Sequence, residues 1–130
     1  MESQNFNCVI VADRNAAASE SIRGLLESEF DNVYLVADTA TLTAGAERLL
    51  PALIVLDLST GPEKLPVLLQ TIHERSPRSH ILVLSLDDEA VVARHALAAG
   101  AEAVVLKRCA GTDIYEAIAA IQRGETYLSP

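Results

Sequence analysis

The sequence predicts an α/β domain in which a parallel sheet is covered by helices on both faces. Five short apolar runs recur at regular intervals, and stretches with helical periodicity separate them. Half of the 130 residues are hydrophobic but only 4% are aromatic, so the core must consist of Val, Ile, Leu and Ala. This length is that of one domain, and this composition suits a parallel sheet.

The five apolar runs predict the strands. Each contains four or five residues, mostly Val, Ile and Leu, and each is continuous rather than alternating, which is typical of strands buried on both faces. In chain order they cover residues 8–12, 33–37, 53–56, 81–85 and 103–106.

The segments between the runs have the spacing of amphipathic helices. Apolar residues recur three and four positions apart, so that each helix has one apolar face for the sheet. The faces are Ile22, Leu25, Leu26 and Phe30 in the first helix, Leu65, Leu68, Leu69 and Ile72 in the third, and Ile114, Ala117, Ile118 and Ile121 in the fifth.

Acidic residues mark two helix starts. Asp87, Asp88 and Glu89 place negative charge where the dipole of the fourth helix favours it. Asp113 and Glu116 have the spacing of a capping pair, which predicts the start of the fifth helix there.

Proline and glycine mark the helix ends. Pro77, Gly100 and Gly124 follow the third, fourth and fifth helices. The least regular helical pattern, over residues 41–50, predicts a second helix that ends at Pro51.

Four polar residues follow strands of this βαβαβαβαβα pattern. Asp13, Asp57, Ser85 and Lys107 each lie at or just past a strand's carboxyl end, and these ends meet at one rim of a parallel sheet. Any one of them alone is what a strand end or turn commonly carries. Together they can hold a phosphoryl group, with a carboxylate as nucleophile and an amine and a hydroxyl on the phosphoryl oxygens.

At these residues the chain resembles the response-regulator receiver family over its whole length. LIVLDLS, residues 53–59, looks like the phosphoacceptor strand and makes Asp57 the acceptor. Ser85 follows 28 residues later at the family's Ser/Thr position, and Lys107 follows Ser85 by 22 residues in the motif GAEAVVLK. The resemblance implies a (βα)5 flavodoxin-like, doubly wound sheet with strand order 2-1-3-4-5.

The last sixteen residues, YEAIAAIQRGETYLSP, are similar to the last receiver helix of NarL/FixJ (LuxR-type) regulators. That resemblance implies that residues 1–130 form a receiver domain, and that a helix-turn-helix DNA-binding domain, absent from this chain, is expected after it. It also implies phosphate transfer from a histidine kinase and homodimerisation, through the first and fifth helices or the fourth-to-fifth face. No enzymatic activity is expected beyond self-phosphorylation from a phosphodonor and autodephosphorylation.

The family's Mg²⁺ site is incomplete in this sequence. The resemblance implies Asp13, Asp57 and Ser59 as metal ligands, but the family's second consecutive acid is replaced by Arg14. A register slip by one residue would still leave one acid missing. The Arg14 guanidinium either pairs with Asp57 in the metal's place or extends to solvent, and both alternatives stay open.

Other departures surround the same rim. Gly61 and Leu65 stand where the family expects Pro and Gly, with Pro62 displaced by one, so a reshaped loop is expected. Leu86 replaces a small residue and narrows the approach to Asp57. The family's switch aromatic is Val104 here, so a Tyr or Phe rotamer change is excluded as the output.

The bulk properties exclude several function classes. A net charge of −8 and a pI near 4.7 argue against nucleic-acid binding by this domain itself. Cys8 and Cys109 lack metal-ligand spacing, and three scattered histidines share none either. No signal peptide or membrane span is predicted, so a soluble, cytoplasmic protein is expected.

The sequence leaves two functions open. The first is a phosphorylated receiver of a two-component transcriptional regulator. The second is a phosphorylation-independent pseudo-receiver, acting as a dimerisation or ligand- and protein-interaction module, which Arg14 and Leu86 favour. A small hydrolase or phosphatase is disfavoured because Ser59, rather than an acid, stands two residues after Asp57.

Overall fold

The computed structural model describes residues 5–58, 65–86 and 90–129, with the side chains of 5, 6 and 90 left aside. In these residues, six strands and five α-helices alternate. The strands are β1 (Asn5–Ala12), β2 (Asn32–Val36), β3 (Pro51–Asp57), β4 (His80–Ser85), β5 (Ala103–Leu106) and β6 (Tyr127–Leu128). The helices are α1 (Ala16–Leu26), α2 (Thr39–Leu49), α3 (Leu65–Arg75), α4 (Ala90–Ala98) and α5 (Ala110–Gln122), and a short 3-10 helix covers Lys107–Cys109.

All strands are parallel and lie in the order β2-β1-β3-β4-β5-β6. The predicted doubly wound sheet and its 2-1-3-4-5 order are confirmed, and a sixth strand is added at the outer edge of β5. The chain places β2 on one side of β1 and then β3 on the other, so the strand order changes direction between β1 and β3. Folds of this kind place their sites in the crevice at the carboxyl ends of these two neighbouring strands.

The two faces of the sheet bury separate cores, because alternate residues of a strand point to opposite faces. Val9 and Val11 of β1 pack on the face covered by α1 and α5. Ile10 and Ala12 pack on the face covered by α2, α3 and α4. The predicted helix faces agree, since each contributes buried side chains to one of these cores. Burial on both faces explains why the strands read as continuous apolar runs.

The second helix begins and ends earlier than predicted. Asp38 caps it by accepting a hydrogen bond from the Thr41 backbone N–H at 2.8 Å, so the first turn starts at Thr39. Leu50 ends it in the left-handed conformation, with φ of 46°. Pro51 then opens β3 rather than only closing the helix, because a proline is tolerated at a strand's first residue.

The predicted start of the fifth helix is wrong. Helix α5 begins at Ala110, and its N-cap, Cys109, makes no capping hydrogen bond through its side chain. The 3-10 turn after β5 leads directly into the helix, so Asp113 already lies inside the first turn. The Asp113 and Glu116 carboxylates instead accept hydrogen bonds from residues of the β6 segment, Ser129 and Tyr127.

The predicted helix end at Gly100 is confirmed. Helix α4 ends at Ala98, and Gly100 has a φ of +116°, a conformation that other residues rarely adopt. A Cβ at this position would lie 2.8 Å from Nε2 of His73, which packs over the turn from α3. The predicted acids Asp87, Asp88 and Glu89 lie outside the described residues. In the part of the chain that is described, no helix is both long and apolar enough to span a bilayer.

Candidate functional site

The four polar residues predicted for the rim lie at the carboxyl ends of four strands. Asp13 follows β1, Asp57 ends β3, Ser85 ends β4 and Lys107 follows β5. Asp13, Asp57 and Ser85 are buried, with 3%, 2% and 1% of their surfaces exposed. Buried carboxylates are costly unless they are paired, so their partners define this site.

Lys107 joins the two carboxylates. Its Nζ lies 2.7 Å from Oδ2 of Asp13 and 3.1 Å from Oδ1 of Asp57. Burial opposes the charged ammonium, but the hydrogen bonds and charges of Asp13 and Asp57 outweigh it, and the pKa of Lys107 is raised. One ammonium therefore faces two carboxylates, which leaves these three groups with a net negative charge. The pairing of Lys107 with Asp13 is a contact that the sequence did not indicate.

Asp13 is held from two sides. Its Oδ1 accepts a hydrogen bond of 2.9 Å from the Asn15 backbone N–H, while Oδ2 faces Lys107. Asn15 in turn caps α1 by accepting from the Ala18 backbone N–H at 2.9 Å. The start of α1 thus fixes the Asp13 carboxylate toward the rim.

Ser85 reaches the rim through the register of the sheet. Asp57 stands opposite Leu84 across the β3–β4 pair, so Ser85 extends one residue further toward the rim. Leu86, which follows it, is 72% exposed, so its side chain projects largely into solvent. Ser59, Gly61 and Pro62 lie outside the described residues, and the predictions on that loop and on the Ser59 ligand stay predictions. Leu65 is the first residue of α3.

Arg14, which the resemblance to the family predicts at the position of the second acid, is exposed. It lines a shallow pocket of about 150 Å³ together with Asp13, Ser19 and Glu20, at the ends of β1 and β2. The Ser19 hydroxyl donates to the backbone carbonyl of Asp13 at 3.4 Å, which ties α1 to the same loop. Arg14 therefore lies at the entrance of the rim rather than in the protein core.

Among the described residues, the donor set for a divalent cation at the rim consists of two carboxylates. Within residues 5–58, 65–86 and 90–129, no three His, Cys, Asp or Glu side chains converge in a way that could hold a metal ion. Asp13 and Asp57 nevertheless offer oxygen ligands of the kind that Mg²⁺ prefers, and a cationic group already lies between them. The pair fits a weakly held cation that would compete with the Lys107 ammonium.

Comparison with known proteins identifies relatives over nearly the full chain. The family model described as "Response regulator receiver domain" matches residues 9–119. The oxygen regulatory protein NreC of Staphylococcus carnosus is 25% identical over 126 residues, which cover 94% of this chain and 58% of NreC. The transcriptional regulatory protein RcsB of Escherichia coli K12 is 30% identical over 128 residues, which cover 95% of this chain and 59% of RcsB. The chain thus spans somewhat more than half the length of these relatives.

Solved structures of receiver domains have the same fold. The isolated receiver domain of RcsB from Salmonella enterica serovar Typhimurium, in the presence of the phosphomimetic BeF3⁻, superposes with a TM-score of 0.81 at 28% identity. That match covers 97% of this chain and 94% of the RcsB chain. The non-phosphorylated receiver domain of RcsB from Escherichia coli gives 0.80 at 29% identity, with 97% and 99% covered.

The six-stranded parallel sheet, the polar rim and the family match over residues 9–119 agree. This chain belongs to the response-regulator receiver domain family.

Proposed function

We propose that this receiver domain accepts a phosphoryl group on Asp57 from a histidine kinase and thereby controls an attached DNA-binding domain in the cytoplasm. The observation that carries the proposal is the buried Asp57 carboxylate, whose Oδ1 is 3.1 Å from the Lys107 ammonium at the mouth of the sheet. A buried carboxylate can act as the nucleophile, and the ammonium beside it can bind the oxygens of the incoming phosphoryl group.

The transfer step involves one bond made and one broken. A carboxylate oxygen of Asp57 attacks phosphorus while the P–N bond of the donor phosphohistidine breaks, and the leaving imidazole nitrogen takes up a proton. The product is an acyl phosphate on Asp57. Lys107 then turns from the carboxylates to a phosphoryl oxygen, and the Ser85 hydroxyl at the end of the neighbouring strand donates to another.

Mg²⁺ would be held by Asp13 and Asp57, and when bound it would neutralise charge on the phosphoryl oxygens. With Arg14 in place of the second acid, we expect the affinity for Mg²⁺ to be weak. Lys107 supplies positive charge at the carboxylates without a metal. Its ammonium therefore holds the unphosphorylated Asp57 carboxylate in place when no Mg²⁺ is bound.

The relatives support control of transcription by a further domain. One solved RcsB structure contains two RcsB dimers bound to two parallel DNAs, and it matches 97% of this chain but only 64% of the RcsB chain, with a TM-score of 0.78 and 29% identity. With a net charge of −8, residues 1–130 are poorly suited to contact the phosphate backbone. We therefore assign DNA contact to a separate domain and expect homodimerisation of the regulator.

A second candidate function is a phosphorylation-independent pseudo-receiver. The favouring observation is that Lys107 already forms ion pairs with both carboxylates without a metal, while Arg14 stands where the resemblance to the family predicts an acid. In that case the rim would be a permanent ion-pair cluster, and the domain would act through a surface that binds a partner.

Acid-labile phosphorylation from a small donor separates the two functions. The protein is incubated with Mg²⁺ and acetyl phosphate, and the gain of one phosphoryl group is followed by intact mass spectrometry. We expect an adduct on the wild type that is lost in Asp57→Asn. Arg14→Asp is expected to form more adduct, whereas Arg78→Asp, a charge-matched change in the turn before β4 at the opposite end of the sheet, is not.

Absence of an adduct on the wild type, together with a clear adduct on Arg14→Asp, would overturn the proposal in favour of the pseudo-receiver. An adduct that persists in Asp57→Asn would overturn the assignment of the acceptor.

A further inference from the structure

The outer edge of β5 carries a segment of the chain that the sequence pattern did not predict to be a strand. The Tyr127 N–H donates to the Glu102 carbonyl at 3.0 Å, and the Ser129 N–H donates to the Val104 carbonyl at 2.9 Å. Residues 127–129, here called the edge segment, therefore extend the sheet by main-chain hydrogen bonds, as an added strand does.

Side chains anchor the edge segment at specific atoms. The Ser129 hydroxyl accepts from the Leu106 backbone N–H at 3.0 Å and donates to Oδ2 of Asp113 at 2.9 Å. The Tyr127 hydroxyl donates to Oε1 of Glu116 at 3.2 Å. Both carboxylates belong to α5, so the segment fits a groove with β5 as its floor and α5 as one wall.

The docking of the edge segment is reversible on energetic grounds. Its strand is only two residues long, and Leu128 between the anchors is 47% exposed. A neutral hydrogen bond shifts the equilibrium between docked and free segment by about tenfold, and the bonds to the Asp113 and Glu116 carboxylates shift it by about tenfold or more. Against this stands the entropy of ordering three residues, so a small change at β5 suffices to shift the balance.

The groove lies directly beside the polar rim. Leu106, whose N–H is bound by the Ser129 hydroxyl, is followed by Lys107, whose ammonium bridges Asp13 and Asp57. A displacement of the Lys107 backbone therefore reaches the Ser129 anchor through one residue, Leu106, and one hydrogen bond.

We propose that the outer edge of β5 is a docking groove for the chain's own edge segment, and that its occupancy follows the position of Lys107. Withdrawal of Lys107 from the carboxylates loosens the Ser129 anchor and frees the segment, and thereby whatever is attached to it. The docking part is independent of phosphorylation. The coupling part rests on the proposed function in one respect, since phosphorylation of Asp57 is the event that would move Lys107.

The docking part is tested by amide hydrogen exchange on the intact, unphosphorylated chain. Ser129→Ala removes the hydroxyl, and we expect exchange at the amides of Tyr127, Leu106 and residue 129 to rise by about tenfold. Ser28→Ala, a matched change at an exposed serine of the loop after α1, is expected to leave these amides unchanged. Equal protection in Ser129→Ala and the wild type would overturn the docking groove.

A charge test distinguishes the specific anchor from general loosening. Ser129→Asp places a carboxylate against Asp113, and we expect a larger rise in exchange than for Ser129→Ala. Adding Asp113→Asn to Ser129→Asp removes the repulsion and should restore protection by several-fold. Failure of this second change to restore protection would overturn the role of Asp113 in the anchor.

The coupling part is tested without a phosphodonor. In Lys107→Gln the ion pairs are lost, and we expect faster exchange at the residue 129 amide relative to amides of α2 as an internal reference. Arg108→Gln, at the adjacent exposed cation, should give no such change. If Lys107→Gln leaves the relative exchange unaltered, the coupling is overturned while docking stands. A failure of wild-type phosphorylation would instead overturn the proposed function and leave both parts of this inference intact.

Discussion

The rim site and the edge groove both depend on β5, but they are held together by different interactions. At the rim, one ammonium is fixed by two buried carboxylates that come from strands far away in the sequence. At the edge, neutral main-chain hydrogen bonds and two side-chain anchors hold a segment that is partly exposed. Buried charges make the rim costly to disturb, whereas the edge loses little when one contact is lost. The difference fits the roles proposed for the two regions, namely the rim as the site of phosphorylation and the edge segment as the part that is released.

The largest expected effect is on the rim. Lys107→Ala leaves two carboxylates buried beside each other with no cation, and we expect a loss of about 3 kcal/mol in the free energy of unfolding. Urea denaturation followed by circular dichroism measures this loss. Arg108→Ala, at the neighbouring exposed position, should change stability by less than about 0.5 kcal/mol. Equal losses in the two variants would contradict the assignment of Lys107 as the bridging cation.

The next effect concerns divalent cations. Because Lys107 and Mg²⁺ would occupy the same space between Asp13 and Asp57, millimolar Mg²⁺ should stabilise Lys107→Ala by about 1–2 kcal/mol and the wild type by less. Thermal unfolding with Mg²⁺ and with Na⁺ at equal ionic strength provides the comparison. A larger stabilisation of the wild type would mean that ammonium and metal do not compete.

At the edge, the expected effect is a late tyrosine titration. Burial, the hydrogen bond to Glu116 and the nearby charges of Asp113 and Cys109 raise the pKa of Tyr127 from 10.0 to about 12. Because the folded-state pKa is raised, this contribution to stability is fully present below pH 10 and is lost as the pH rises to about 12. Tyrosinate absorbance should show one component near this value that is absent in Tyr127→Phe.

The smallest effect is expected for Asp57→Asn. The change removes one charge from a group of two carboxylates and one ammonium, and Lys107 keeps its ion pair with Asp13 at 2.7 Å. Relief of repulsion between the carboxylates offsets the lost pairing, so stability should change by less than about 1 kcal/mol. The contrast with Lys107→Ala sharpens the description of the rim, since a loss as large as that of Lys107→Ala would mean that Asp57 alone fixes the ammonium.

The sheet and the placement of the rim residues could be predicted because they follow from local sequence. Continuous apolar runs mark strands, and parallel strands bring their carboxyl ends together, so the sequence predicts Asp57, Ser85 and Lys107 at one rim. The pairing of Lys107 with Asp13 could not be predicted, because it depends on the reach of a long side chain across the ends of β4 and β3.

The edge segment was missed for a different physical reason. A two-residue strand has no periodicity to read, and its stability comes from partners such as Asp113 that are distant in space rather than from its own composition. The spacing of Asp113 and Glu116 predicts a helix cap, whereas in the structure the two carboxylates anchor the edge segment. A carboxylate three residues from another serves equally well as two anchors on one helix face.

Strand β2 forms the margin of the sheet opposite the edge segment, and this margin bears on self-association. In the described part of the chain β2 pairs only with β1, so its outer side presents open main-chain groups, with Tyr34 41% exposed. At the opposite margin β6 takes the place of β5 as the edge strand, but over two residues only, and a short edge strand offers little length for pairing with another chain. Removing β6 would expose the four residues of β5 as the edge, which is a longer template for pairing with a second molecule. A two-residue strand thus limits edge-to-edge association at one margin of the sheet.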